Sequence, residues 1–164
     1  MSFSLAPRLL DQNTIDQAYP LVRNLANGIT LDRWGRFARP FVSTRSSPWP
    51  RGLMTIQNEA GYILALFGFE VRDDLYENRT LCIENIVIAS IPGRDTIWAA
   101  MVNAAEQLAT MHGCHAIRAG LTDDLDPHDT DRRWLINSLQ SAGYSLEGVR
   151  AFKRMEKRGT TGAH

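Results

Sequence analysis

The stretch IVIASIPGRDTIWAAMVNAAEQLATMHG, Ile86 to Gly113, limits most sharply what this chain can become. It opens as a run of β-branched residues, which favours a strand. It then crosses a Pro-Gly turn signal at Pro92 and Gly93. Beyond the turn, Ile97, Met101, Val102, Ala105 and Leu108 recur at helical spacing. The periodicity predicts a helix from about Asp95 to His112, stopped by Gly113. The next apolar run, CHAIRAGL (114–121), reads as another strand. A strand, a helix and a strand in that order form a β-α-β unit, which calls for a parallel pair within a sheet.

The flanks add elements around this unit. APRLLD near the start is a short strand. The segment NTIDQAYPLVRNLANG reads as a helix from Asn13 as N-cap to Gly28 as C-cap, kinked or split at Pro20. A second helix spans Leu31 to Phe41 behind the cap Thr30, with Leu31, Trp34, Phe37, Ala38 and Phe41 on one stripe. VSTRSSPWPRG is loop. LMTIQ and GYILALFGFEV flank the polar turn NEAG as a hairpin. TLCIENIVIA is the strand that leads into the central turn; with little alternation, it should be buried on both faces. RRWLINSLQSAG is a late helix, and YSLEGVRAFKRME supplies one or two last strands. The predicted order is β-α-α-β-β-β-α-β-α-β-β, an α/β (α+β) chain with a mixed central sheet. Residues 1–157 are expected to form one domain, with 158–164 as a tail.

Composition narrows the partners. The chain has 164 residues and a formal net charge of zero, so the broad basic face that a nucleic-acid partner needs is not expected. Arg33, Arg36, Arg39, Arg45 and Arg51 are read as a solvated helix face and loop. No apolar run is long enough to span a bilayer, and the start lacks the pattern of a signal peptide, so a cytoplasmic protein is expected. Cys82 and Cys114 match no metal or redox spacing and read as small buried residues. His112 and His115 flank a helix end and point apart, and the acidic loop TDDLDPHDTD lacks the glycine and distal glutamate of a calcium loop; no metal is expected. No nucleophile elbow and no dinucleotide fingerprint is present.

CIENIVIASIPGRDTIWAAMVNAAEQLA resembles the strand, pyrophosphate loop and helix of the GNAT acyltransferases, the Gcn5-related N-acetyltransferases. LINSLQSAGYSL resembles their late helix, which ends in a Gly-aromatic pair, here Gly143 and Tyr144. The resemblance covers nearly the whole chain. It implies a GNAT-like fold and acyl transfer from acetyl-CoA or another acyl-CoA to an amine of a small molecule or peptide, by direct attack. It also leaves room for a homodimer. In the family the loop reads Arg-Gly-x-Gly-x-Gly or Ala. The six matching positions here are GRDTIW, Gly93 to Trp98, so Gly93 and Arg94 are present in reversed order. Thr96 stands where the second glycine would be, and Trp98 where the last would be. Asp95 can cap the helix and would repel a phosphate. The turn amides, the helix dipole and Arg94 remain as anion-binding features.

The resemblance assigns the remaining roles. Glu84, a carboxylate inside an apolar strand, matches the family's general base; its structural alternative is a salt-bridged residue at a sheet opening. Backbone amides near Ile86 or Ile88 would hold the acyl carbonyl. The phosphates would meet Pro92 to Ile97, which includes Gly93, Arg94, Asp95 and Thr96. Leu139 occupies the place of the family's tyrosine acid, so that proton donor is missing or lies elsewhere. Trp34, Phe37, Arg45 and Trp49 border the acceptor region, or else serve as core and surface loop. The altered loop also keeps two rivals open: a binding or regulatory module without catalysis, and an acyltransferase that takes its acyl group from a carrier protein.

Overall fold

A computed structural model describes residues 4–24, 28–43, 49–121, 130–148, 151, 153 and 155. Strand β1 (Leu5–Leu9) leads to a 3-10 turn (Ile15–Ala18), α1 (Tyr19–Arg23) and α2 (Leu31–Val42). Then come β2 (Arg51–Asn58), β3 (Ile63–Asp74), β4 (Asn78–Ile88), α3 (Arg94–Met111), β5 (Ala116–Ala119) and α4 (Thr130–Ser141). The sheet runs β1-β2-β3-β4-β5. Its first four strands pair antiparallel, and β4 pairs parallel with β5 through the α3 crossover, as the β-α-β reading requires.

The first helical segment divides at Pro20. Thr14, not Asn13, precedes the 3-10 turn, and its hydroxyl accepts the Asp11 amide at 2.9 Å. Pro20 then sits in the first turn of α1, where its missing N–H costs no hydrogen bond. In α2, Thr30 caps as expected: its hydroxyl accepts the Arg33 amide at 3.1 Å. The β2–β3 turn closes with the Gly61 amide donating to the Asn58 carbonyl at 2.9 Å, and Gly61 has a φ of 83°.

Contacts group the chain into two compact units, 1–126 and 127–164. In the first unit, opposite faces of the sheet carry separate cores. Met54, Phe67, Phe69, Val71, Leu81 and Ile83 pack with Ile97, Met101, Ala104, Ala105 and Leu108 of α3. Leu53, Leu66 and Val87 pack with Ile15, Val22, Trp34 and Ala38. Leu53 to Ile56 are therefore buried without alternation, because successive side chains enter different cores. On α3, four of the five expected apolar positions are buried; Val102 is half-buried, and Ala104 and Ala109 join the core instead. The second unit holds α4 and the residues after it. Among the described residues 144–148 no strand forms, and most of the remaining segment predicted as strand lies outside the described residues.

Candidate active site

The site begins with an irregularity in β4. Gly68 pairs with Glu84 and Leu66 with Val87, so the single residue Phe67 on β3 opposes two residues, Asn85 and Ile86. That is a β-bulge. Asn85 adopts a φ of 56°, the left-handed conformation that one type of bulge places at its first residue and that asparagine tolerates better than most residues. Gly68 gives room for it. A Cβ at Gly68 would lie 3.3 Å from the Glu84 carbonyl oxygen and 3.8 Å from Asn85 Nδ2.

The bulge lies just past the end of the β4–β5 pairing. The last parallel pair is Ile83 with Ala119, and the Gly120 amide donates to the Ile83 carbonyl at 2.7 Å. Among the described residues, β4 makes no further ladder pair with β5 from Glu84 to Ile88. Glu84, Ile86 and Ile88 are all half-buried here. Glu84 shares its sheet face with Cys82, Glu70, Arg72 and Arg118. Glu70 accepts two hydrogen bonds from Arg72, at 3.0 and 2.7 Å. Those bonds raise the Arg72 pKa, and the Glu84 charge adds to the effect. Burial pushes the Cys82 and Cys114 thiols up, which fits packing residues better than nucleophiles.

Beyond Ile88 the chain turns into α3 within five residues. The Arg94 amide donates to the Ile91 carbonyl at 3.3 Å across Pro92 and Gly93, and Gly93 has φ 86° and ψ 12°. This is a type II turn, with proline and glycine each at its favoured position. Gly93 is the N-cap, so Asp95 lies inside the first helical turn and not at the cap position. The amides of Thr96 and Ile97 both donate to the Gly93 carbonyl, at 3.0 and 3.4 Å. The turn thus uses three of its own amides, and the Gly93 amide lies outside that network. Space in front of Gly93 is open: a Cβ there would meet nothing within 4 Å. Arg94 is half-buried, whereas Asp95 and Thr96 are exposed. Ile97 is 3% exposed and belongs to the α3 core, and Trp98 packs partly buried against the same core.

The residues expected near an acceptor separate. Trp34 is 2% exposed and donates its indole N–H to the Ile15 carbonyl at 2.8 Å, so it builds the core. Phe37 is half-buried between Trp34 and Phe41, with ring centroids 5.8 and 5.2 Å apart. Trp49 is exposed, and the Arg79 guanidinium lies 5.9 Å from its ring centre. Arg45 lies outside the described residues. In the second unit, Leu139 is buried, and α4 ends with Tyr144 and Gly143 amides donating to Leu139 and Gln140 carbonyls at 3.1 and 3.0 Å. That Schellman ending accounts for the Gly-aromatic pair. Among the described residues no group of acidic, histidine or cysteine side chains could hold a metal ion, and no helix is long and apolar enough to cross a membrane.

Sequence reasoning missed Asn85. Its signal was present in the consecutive polar pair Glu84-Asn85 inside an apolar strand, with asparagine among the residues that strands disfavour.

No protein-family model matches the chain, and neither does any curated protein. Solved structures do. The aminoglycoside N-acetyltransferase AAC(6')-Iy, in complex with CoA, superposes with a TM-score of 0.69 at 15% identity over 96% of this chain and 97% of its own. A GNAT family acetyltransferase from Staphylococcus aureus gives 0.69 at 15% identity over 93% and 99%. A transcriptional regulator from Bacillus halodurans gives 0.69 at 16% identity over 92% and 100%. A mixed five-stranded sheet with its helices in this order, matched over nearly the whole length, gives the chain the fold of the GNAT acetyltransferases.

Proposed function

We propose that the chain is an acyl-CoA-dependent N-acyltransferase that moves an acetyl group to an amine of a small molecule or peptide in the cytoplasm. One observation carries this reading above the others. Strand β4 loses its β5 partner at Ile83, bulges at Asn85 and leads directly into a Pro-Gly turn at a helix N-terminus. That places a carboxylate, strand backbone and an anion-attracting helix end in one continuous segment. The CoA-bound state of the similar aminoglycoside acetyltransferase supports the choice of donor.

The residues present fit a CoA donor in part. The open space before Gly93, the Gly93 amide, the helix dipole and Arg94 suit a pyrophosphate. Asp95 and the three engaged amides weaken the fit relative to a glycine-rich loop. When bound, the donor supplies an activated thioester. Glu84 takes a proton from the incoming amine, directly or through water. Backbone N–H groups at Ile86 or Ile88 stabilise charge on the acyl oxygen. A thiolate leaves readily enough near neutral pH that Leu139 in the place of a tyrosine acid does not forbid transfer.

A second reading, a GNAT-fold binding or regulatory module without catalysis, draws on the equal likeness to a transcriptional regulator and on the altered turn. Calorimetric titration with acetyl-CoA, with dephospho-CoA beside it, separates the two. Micromolar binding followed by acetylation in an amine screen supports the enzyme. Binding without turnover on any amine favours the module. No binding at millimolar ligand removes CoA as donor and turns the search to carrier-bound acyl groups.

A further inference from the structure

The sheet face that carries Glu84 also carries two arginines that the chemistry above leaves unused. Cross-strand register puts Glu70, Cys82 and Arg118 in one row, and Arg72, Thr80 and Ala116 in the next. At strand spacing these rows lie about 7 and 13 Å along β4 from Glu84. Arg118 reaches across β4 to Asp74 on β3, with Nη1 2.7 Å from Oδ2. Arg72 donates from Nε and Nη2 to Glu70 Oε2, at 3.0 and 2.7 Å.

The two pairs are layered by exposure. The Arg72 and Arg118 side chains are 55% and 52% exposed, those of Glu70 and Asp74 only 26% and 18%. Asp74 is further occupied, because Oδ1 accepts the Tyr76 and Glu77 amides. A guanidinium has five N–H donors, so these bonds among the described residues leave Arg72 Nη1 and Arg118 Nε and Nη2 with donors to spare. A cation arriving here meets carboxylates that are engaged and covered. An anion meets two guanidiniums already held in place. Helix α2 packs on the same face, with Trp34 and Ala38 against Leu53, Leu66 and Val87. Its exposed Arg33, Arg36 and Arg39 add positive potential on that side.

We infer that Arg72 and Arg118 select the acceptor by binding an anionic side chain about 7–13 Å from its reacting amine. The inference rests on the acyl-transfer reading, with Glu84 beside the amine, and names the acceptor class. The span is too long for the two ends of one amino acid and suits an extended peptide, whose third residue lies about 7 Å from its first. The acceptor is therefore the N-terminal amine of a peptide with Asp or Glu at about its third or fourth residue.

The test uses short peptides with a free N-terminal amine and a C-terminal fluorophore, identical except for glutamate, glutamine or lysine at the third residue. Fluorescence anisotropy reads their affinity for the intact chain, and acetyl transfer from acetyl-CoA reads kcat and KM. The glutamate peptide should bind about five- to tenfold tighter than the glutamine peptide, with the lysine peptide weakest. The gain should appear in KM and shrink in high salt. Arg118→Gln and Arg72→Gln should each bring the glutamate peptide toward the glutamine one, with circular dichroism as a folding check. Arg72→Gln leaves the tie between Arg118 and Asp74 in place, so it carries the test should Arg118→Gln fail to fold. Equal affinities, a preference for lysine, no binding of any peptide, or a preference that survives in both variants overturns the inference alone. A glutamate preference in binding without acetylation of any peptide keeps the anion site and removes the acyl-transfer reading instead.

Discussion

Glu84 faces Gly68 across the β3–β4 ladder and stands one residue past the last pair that β4 makes with β5. Under the proposed acyl transfer, this half-buried carboxylate takes the amine's proton beside the part of β4 that lies past its last described pair with β5. Glu84→Gln keeps size and polarity but cannot accept the proton. Turnover should fall by about 10²- to 10⁴-fold with acetyl-CoA affinity unchanged, as read from kcat beside calorimetric Kd. A variant as active as wild type would remove Glu84 from the mechanism. The turn at α3 gives a second residue-scale contrast. Arg94→Ala should weaken acetyl-CoA about tenfold, the scale of a charge-assisted hydrogen bond. Asp95→Asn should tighten it several-fold, since it removes a negative charge from the helix end proposed to meet the phosphates. Equal affinities for both variants and wild type would mean that no phosphate contacts this turn.

Helix α3 runs between two glycines in the left-handed conformation, Gly93 at its start and Gly113 at its end. At the C-terminus, the Cys114 and Gly113 amides donate to Ala109 and Thr110 carbonyls at 2.8 and 3.2 Å, a Schellman closure. A Cβ at Gly113 would meet nothing within 4 Å, so Gly113→Ala isolates the conformational cost. The expected loss is about 1 kcal/mol in chemical denaturation, with an unchanged m-value. A neutral substitution would show that the helix end can refold around a right-handed residue. Such glycines explain why α3 was legible in the sequence: its period, start signal and stop signal agree. The same holds for α2, where Thr30 and the Trp34–Ala38 stripe point one way. The candidate site was less legible because one of its devices is a local exception and one of its expected residues belongs to the core. The β4 bulge is marked in the sequence only by the polar pair Glu84-Asn85 within an otherwise strand-like run. The role of Trp34 depends on an indole bond to Ile15, nineteen residues away, which no local pattern encodes. The Asp95 expectation failed differently: Pro92 and Gly93 form the turn themselves and move the cap back to Gly93.

Across the chain, 18 acidic residues balance 18 basic ones, so lowering the pH leaves a growing positive excess. In the first-unit sheet, Asp74 is a carboxylate whose loss has a specific consequence. Asp74 accepts the amides of Tyr76 and Glu77 through Oδ1, at 2.9 and 3.0 Å, and pairs with Arg118 through Oδ2 at 2.7 Å. It therefore closes the β3–β4 hairpin and ties β3 to β5 across β4. The Glu77 and Tyr76 amide bonds, and then Arg118, hold its carboxyl below the ordinary carboxylate value. A depressed folded-state pKa contributes stability that is complete above the unfolded value, about pH 4, and is lost as pH falls through the folded value. Asp74→Asn should thus melt below wild type at pH 7, and the gap should close as the pH drops below about 4. The part owed to Arg118 should shrink in high salt, because Arg118 is largely exposed. Thermal melts by circular dichroism between neutral and acid pH, at low and high salt, test each arm. A gap of the same size at both ends of the pH range would mean that the Asp74 charge does not hold the hairpin, and that the geometry of the turn alone does.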